Sequence, residues 1–181
     1  MNNAVNHFKT ITEHKMLVMK FCFQCGLYVQ GLAHDLSKYS PVEFFEGARY
    51  WSGNESPNND ARKAQGTSYA WLHHKGRNRH HFDYWIDYGI NCATKIKGVD
   101  MPKKYIAELI CDRVAASMIY NRGKYDDSLP YKYYKRGEDQ LWFVSEKTKK
   151  DIGFLLTMVA EKGHDKTFEY IKNIYLKGRK R

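Results

Sequence analysis

Residues 102–123, PKKYIAELICDRVAASMIYNRG, constrain the fold more than any other stretch. Proline fits the first helical position, apolar side chains recur at helical spacing, and Gly123 supplies the stop. The same periodicity runs along the chain, and strand-like alternation is nearly absent. A first helix is expected over residues 3–25, with a break near Gly26, and a second over 27–36. Ser40-Pro41-Val42-Glu43 reads as a capping box with proline at the first helical position, opening a helix to Trp51. Residues 52–66, SGNESPNNDARKAQG, are polar and rich in turn formers, which predicts a surface loop. Thr67 or Ser68 can cap a short helix, SYAWLHHK, that stops at Gly76, and another helix is expected near His80, carrying HHFDYWIDY. A loop over 89–100 precedes the long helix, and the tyrosine-rich segment 124–144 is ambiguous. Ser145 can cap a helix through Lys162 with Gly163 behind it, and Asp165 can cap a last one to Lys177. The expected class is all-α: a single-domain helical bundle of seven to eight helices.

With 181 residues, 43% of them hydrophobic and 15% aromatic, the chain can bury one substantial core and is not a disordered polymer. Its start, MNNAVNHFKTITEHK, lacks the basic-then-apolar layout of a signal peptide, and no apolar run approaches the roughly 18 residues of a membrane span. A soluble cytoplasmic protein with no membrane partner is the expectation. Cysteines at 22, 25, 92 and 111 are too few and scattered for a disulfide framework. The Cys22-x-x-Cys25 pair lies in the apolar run LVMKFCFQCGLYV, so buried packing outweighs zinc or redox chemistry there. The formal net charge of +10, partly in the tail from Lys177 to Arg181, favours phosphate-bearing partners: small molecules, nucleotides or nucleic acid.

Histidines carry the chemical information. They stand at 7, 14, 34, 73, 74, 80, 81 and 164, four of them within SYAWLHHKGRNRHHFDYW. His14 sits among Ile11, Leu17, Val18 and Phe21, the doublet His34-Asp35 closes the second expected helix, and Asp112 falls between Leu109-Ile110 and Val114-Ala115 on an apolar face. A carboxylate at a core position needs a cation, a metal or donors around it. Imidazole and carboxylate together suit Mn, Fe, Co, Ni or Zn, and helix bundles build such sites from inward-facing side chains.

This arrangement of His14, His34-Asp35 and Asp112 resembles the HD-domain metal-dependent phosphohydrolase superfamily. The extended form His34-Asp35-Leu36-Ser37-Lys38 is similar to its binuclear branches. HDLSKYSPxEFF and HHxxxNxHH also resemble a group of short bacterial and phage HD-type proteins. The resemblance implies one divalent metal on His14, His34, Asp35 and Asp112. It implies a second on histidines from the 73–81 segment, with His74 and His81 favoured, then His80, and the choice including His73 left open. It further implies a catalytic Asp35; Lys38, one turn from the ligands, would face substrate phosphate and act with it, and Arg77, Arg79 and Arg113 could add phosphate contacts. No GYP motif is present, so cyclic dinucleotide specificity is not carried over. Tyr131, Tyr133 and Tyr134 could stack on a base or pack the core. The second doublet, His164-Asp165, follows Gly163 and reads as a helix start. The expected activity is hydrolysis of a nucleotide or other phosphoester through metal-activated water. Two rivals are an HD-type di-iron oxygenase and a basic nucleic-acid-binding module with a degenerate metal site.

Overall fold

The computed structural model describes residues 3–90 and 93–178. Among these, nine α-helices and one two-stranded hairpin are formed. They are α1 (Asn3–Gln24), α2 (Tyr28–Ala33), α3 (Pro41–Arg49), α4 (Pro57–Gln65), α5 (Tyr69–Lys75), β1 (Ile86–Tyr88), β2 (Ile96–Gly98), α6 (Lys103–Tyr120), α7 (Leu129–Gly137), α8 (Glu146–Lys162) and α9 (His164–Tyr170). A π-helical turn, Ile171–Tyr175, prolongs α9. Among the described residues, no helix is long and apolar enough to cross a membrane.

α1 is the central strut. It buries His7, Ile11, His14, Val18, Phe21 and Cys22, a stripe stepping by three or four residues, and packs on α2, α3 and α6. α6 is buried almost all round: Ile106 to Cys111, Val114 and Ala115 each expose 5% of their surface or less. Side chains from α1, α6, α8 and α9 form one core that includes Val18, Ile110, Leu155, Leu156 and Phe168. Full burial of each large aliphatic or aromatic group there contributes about 1.5–3 kcal/mol. Cys22, Cys25 and Cys111 are free thiols inside that core, with Cys25 Sγ 3.6 Å from Cys111 Sγ, in keeping with a packing role for the pair at 22 and 25.

Several expectations need correction. Residues 52–66 are not all loop, because α4 occupies most of them: Pro57 takes the first turn and Gly66 closes the helix at φ 80°. Only Pro57 and Ala61 of α4 are buried, too narrow a stripe to stand out among polar neighbours. The helix expected at HHFDYWIDY is instead a 3₁₀ turn, Phe82–Tyr84, running into β1, which pairs antiparallel with β2. The second helix ends at Ala33, so His34 and Asp35 lie in a turn rather than in a helix. The capping box at Ser40 does not form: Ser40 makes no side-chain cap, and Glu43 turns inward to other partners. Asp165 falls within the first turn of α9, whose cap position is Gly163. Residues 124–144 contain α7 and a 3₁₀ turn, Glu138–Gln140. Cys92 and the tail residues Arg179 to Arg181 lie outside the described residues.

The hairpin is seated by one close approach. A β-carbon on Gly98 would fall 2.4 Å from Phe143 O and 2.5 Å from Ser145 N, both backbone atoms. Gly98→Ala is therefore expected to cost about 1–3 kcal/mol, read as a lower urea midpoint with an unchanged slope. Unaltered stability would show that the hairpin is not fixed against the start of α8.

Candidate metal centre

Four elements deliver the polar groups to one place beside the core. His14 occupies a heptad-like position in the buried stripe of α1. His34 and Asp35 follow the last residue of α2, where Asp35 adopts the left-handed conformation (φ 53°, ψ 24°). Aspartate tolerates that conformation better than most residues. In a continuous helix two successive side chains diverge by about 100°; this turn lets them face a common centre. Lys15 anchors it, its ammonium donating to Leu32 O and His34 O at 2.8 Å each. α6 contributes Glu108 and Asp112, one helical turn apart on one face.

The last contributor is the turn after α5. Ser68 caps that helix by accepting from Trp71 N. Beyond it, the carbonyl of His74 accepts from Arg77 N, from Asn78 N and from the Asn78 side-chain amide. That fold-back carries His80 and His81 over His74, with ring centroids of His74 and His81 4.8 Å apart and of His34 and His80 4.5 Å apart.

Asp35 is the hub. Its Oδ2 faces His34 Nε2 at 3.3 Å and His14 Nε2 at 3.8 Å, while Asp112 Oδ1 lies 2.9 Å from His14 Nε2 and 3.7 Å from His34 Nε2. Its Oδ1 faces His74 Nε2 at 3.3 Å and His80 Nε2 at 3.4 Å, and His74 Nε2 lies 2.9 Å from His81 Nε2. Two ligand sets share only Asp35, His14, His34 and Asp112 on one side and His74, His80 and His81 on the other, and a third group, His34, His80 and Glu108, joins them. Each could hold a metal ion. The shares of surface exposed are 7% for His14, 1% for His34, 2% for Asp35, 2% for His74 and 2% for His80, so bulk solvent barely reaches them.

These atoms fit metals better than they fit one another. His14 Nε2, His34 Nε2, His80 Nε2 and Asp35 Oδ1 meet no hydrogen-bond geometry despite their close neighbours. Orphaned buried polar atoms are costly and rare. Here these four converge around Asp35, as lone pairs aimed at cations would, whereas His7 Nδ1 and Ser40 Oγ are orphaned elsewhere. The far nitrogens, by contrast, are held. Glu108 Oε1 accepts from His34 Nδ1 at 3.0 Å and lies 3.2 Å from His80 Nδ1. Glu43 accepts from His74 Nδ1 at 2.7 Å and from His73 Nδ1 at 2.6 Å. Carboxylates behind ligating histidines fix ring orientation and tautomer in metal centres.

The charges follow the same geometry. Burial would raise the Asp35 carboxyl, but the positive charges of His34, Lys38 and His74 hold it well below the usual range. Burial likewise opposes ionisation of Asp112, yet the neighbouring His14, its Nε2 2.9 Å away, holds the carboxyl well below the usual range. Burial, with Lys38 nearby, pushes His14 down, and burial with His80 and His74 pushes His81 far down, so both rings offer neutral nitrogen. His34 goes the other way: burial is outweighed by the negative charge of Asp35 beside it and by its bond to Glu108, raising it to about 10. His74 is raised by Asp35 and Glu43 against burial.

A site whose His34 stays protonated up to about pH 10 must release that proton to a metal, so affinity rises with pH below that value. Near pH 7.5, calorimetry of Zn²⁺ binding in buffers of different ionisation enthalpy is expected to detect about one proton from His34. Binding without proton release would show that this ring is not a ligand.

Lys38, expected against substrate phosphate, lies with its ammonium 2.6 Å from Asp35 Oδ2. It borders a cavity of about 140 Å³ together with His14, Asp35, His74, His81 and Asp112. A larger cavity of about 480 Å³ shares His81, Asp112, Trp71 and Tyr120 with it and extends to Phe82, Arg113, Tyr133, Arg62 and Arg136. Arg113 stacks its guanidinium over Phe82, Tyr133 and Tyr134, with centroid distances of 5.9, 5.6 and 5.9 Å. Arg77 and Arg79, also expected at substrate phosphate, are exposed and line neither cavity; Arg77 bonds His73 O and Arg79 bonds Tyr105 Oη. Of the tyrosines that could stack on a base or pack the core, Tyr133 lines the large cavity, Tyr134 packs in the core and Tyr131 is partly buried against it. His164 of the second doublet bonds Asp127 at 2.7 Å, on a different part of α9's surroundings.

Four residues escaped the sequence reading: Glu43, Glu108, Arg62 and Arg136. Glu108 carried a usable signal, lying one turn before Asp112 inside an apolar run, whereas Glu43 was masked by its place in an apparent capping box.

Comparison with known proteins adds a family at this point. Residues 3–158 match a family of unknown function, DUF5662. The chain belongs to the DUF5662 family. The matched span includes every ligand of the two sets and both carboxylates behind them, so the whole centre lies within the DUF5662 portion of the chain. Neither a curated protein nor a solved structure matches it.

Proposed function

We propose that this DUF5662 chain is an HD-type, metal-dependent phosphohydrolase acting on a nucleotide or other phosphoester in the cytoplasm. The observation that carries the reading is Asp35, whose two oxygens each face a separate set of three ligand side chains. His14, His34 and Asp112 would hold one divalent ion and His74, His80 and His81 the other, with Asp35 between them. Five imidazoles with two carboxylates favour Mn, Fe, Co, Ni or Zn over Mg or Ca. Such ions lower the pKa of water from 15.7 towards about 7 and polarise a phosphoryl oxygen.

The chain's own residues supply the rest. Burial works against the Lys38 ammonium, but Asp35 and Asp112 keep it charged, so it can neutralise charge that grows on phosphate oxygens beside the ligands. Arg113, Arg62 and Arg136 add positive charge to the larger cavity, and Trp71, Phe82 and Tyr133 give that cavity flat apolar walls. Its volume suits a small phosphoester better than a duplex nucleic acid. The deciding experiment is a phosphatase and phosphodiesterase screen on protein reconstituted separately with each metal, beside elemental analysis. Turnover of a phosphoester that chelation abolishes and metal restores is expected. Iron retention with oxygen uptake on polyols, and no phosphoester turnover, would favour the oxygenase chemistry instead. Salt-sensitive nucleic-acid binding that survives chelation would favour the binding module.

A further inference from the structure

We infer that Glu108 is a positioning residue that ties the two metal positions into one unit, because a single carboxylate oxygen orients one imidazole from each set. The inference rests on the two-metal reading above and adds a property to it: the ions are taken up as a coupled pair.

The geometry is specific. Glu108 Oε1 lies 3.0 Å from His34 Nδ1 and 3.2 Å from His80 Nδ1. His34 belongs to the first set and His80 to the second. Glu108 is 5% exposed, and the two rings it holds are 1% and 2% exposed, so no water replaces these bonds. An oxygen that accepts from both Nδ1 atoms fixes the proton there in each neutral ring and leaves each Nε2 lone pair free. Those lone pairs face opposite oxygens of Asp35: His34 Nε2 lies 3.3 Å from Oδ2 and His80 Nε2 3.4 Å from Oδ1. Moving one ring moves the oxygen that holds the other. α6 makes the link stiff, since the same helical face carries Glu108 and, one turn on, the ligand Asp112.

Glu43 provides an internal contrast. It also sits behind ligands, but its oxygens hold His74, from the second set, and His73, from neither. Glu43 therefore supports one position and Glu108 both. An ion entering either position holds its own ring and, through the shared Glu108 oxygen, the ring of the other set, so the second ion meets a ligand already held in place, which is positive coupling without any large movement.

The test is a Zn²⁺ titration of the full chain, freed of metal, followed by calorimetry for wild type, Glu108→Gln and Glu43→Gln. Wild type is expected to take two equivalents in one steep step. Glu108→Gln is expected to weaken both equivalents about 10–100-fold and to make the step graded, whereas Glu43→Gln weakens one equivalent by a similar factor. Glu108→Gln behaving like wild type, or like Glu43→Gln, overturns the inference while leaving two bound metals intact. A third equivalent lost in Glu108→Gln would make Glu108, His34 and His80 an ion site and also overturn it. Absence of Zn²⁺ binding by wild type overturns this inference and the proposed function together. A measurement on wild type alone guards against a variant that does not fold. In ¹⁵N spectra of the Zn²⁺-loaded protein, both His34 and His80 are expected to carry their proton on Nδ1, and a proton on Nε2 of either ring contradicts the link.

Discussion

Asp35→Asn is expected to leave a folded chain that binds neither metal and turns over no phosphoester. Asparagine is the informative replacement because it accepts the left-handed backbone at φ 53° and keeps the turn that presents His34. What it removes is the charge whose two oxygens serve both ligand sets. Without metal, that charge also offsets Lys38, 2.6 Å away, and the raised His34. Removing one partner of a buried ion pair costs about 3–5 kcal/mol, so the metal-free variant is expected to unfold at lower urea than metal-free wild type. Elemental analysis and the urea midpoint test the two halves separately. Two retained metal equivalents in Asp35→Asn would remove Asp35 from the centre of the site.

Lys38→Met should give the opposite dissociation between metal and turnover. The ammonium is not a ligand atom, and the methionine stem preserves the packing of a side chain 27% exposed at the cavity wall. Both metals should therefore stay bound. Turnover should fall about 10²–10³-fold, the effect typical of deleting one donor to developing negative charge, with the change in kcat rather than KM. Steady-state kinetics on the metal-replete variant measures this. A variant at full rate would exclude Lys38 from the reaction, and loss of metal would reassign it to assembly of the site. By the same reasoning, a variant at Arg113 should act mainly on KM, since its guanidinium lies in the larger cavity among Phe82, Tyr133 and Tyr134.

What was legible in the sequence followed from punctuation and from misplaced polarity. Ser145 and Gly163 bound α8 where serine and glycine predict, because the cap bond and the left-handed φ need those residues. His14 and Asp112 were conspicuous because each interrupts an apolar stripe. The local segment 73–81 was not resolvable by spacing alone. Which of its histidines face Asp35 depends on three donors converging on the His74 carbonyl, an arrangement no periodicity encodes. The hairpin stayed hidden because each strand is three residues long and mostly exposed. α4 stayed hidden because its support comes from two buried residues and its caps rather than from an apolar face. Glu43 was assigned to local capping, but bonds to two histidines 30 and 31 residues away prevail. Tertiary partners outweighed a local motif there, as they commonly do.

Anomalous diffraction from crystals of protein reconstituted with Zn²⁺ tests the central claim most directly. Two peaks are predicted on opposite sides of Asp35, one contacted by His14, His34 and Asp112, the other by His74, His80 and His81. A single peak away from Asp35, or none at full Zn²⁺ loading, would contradict it.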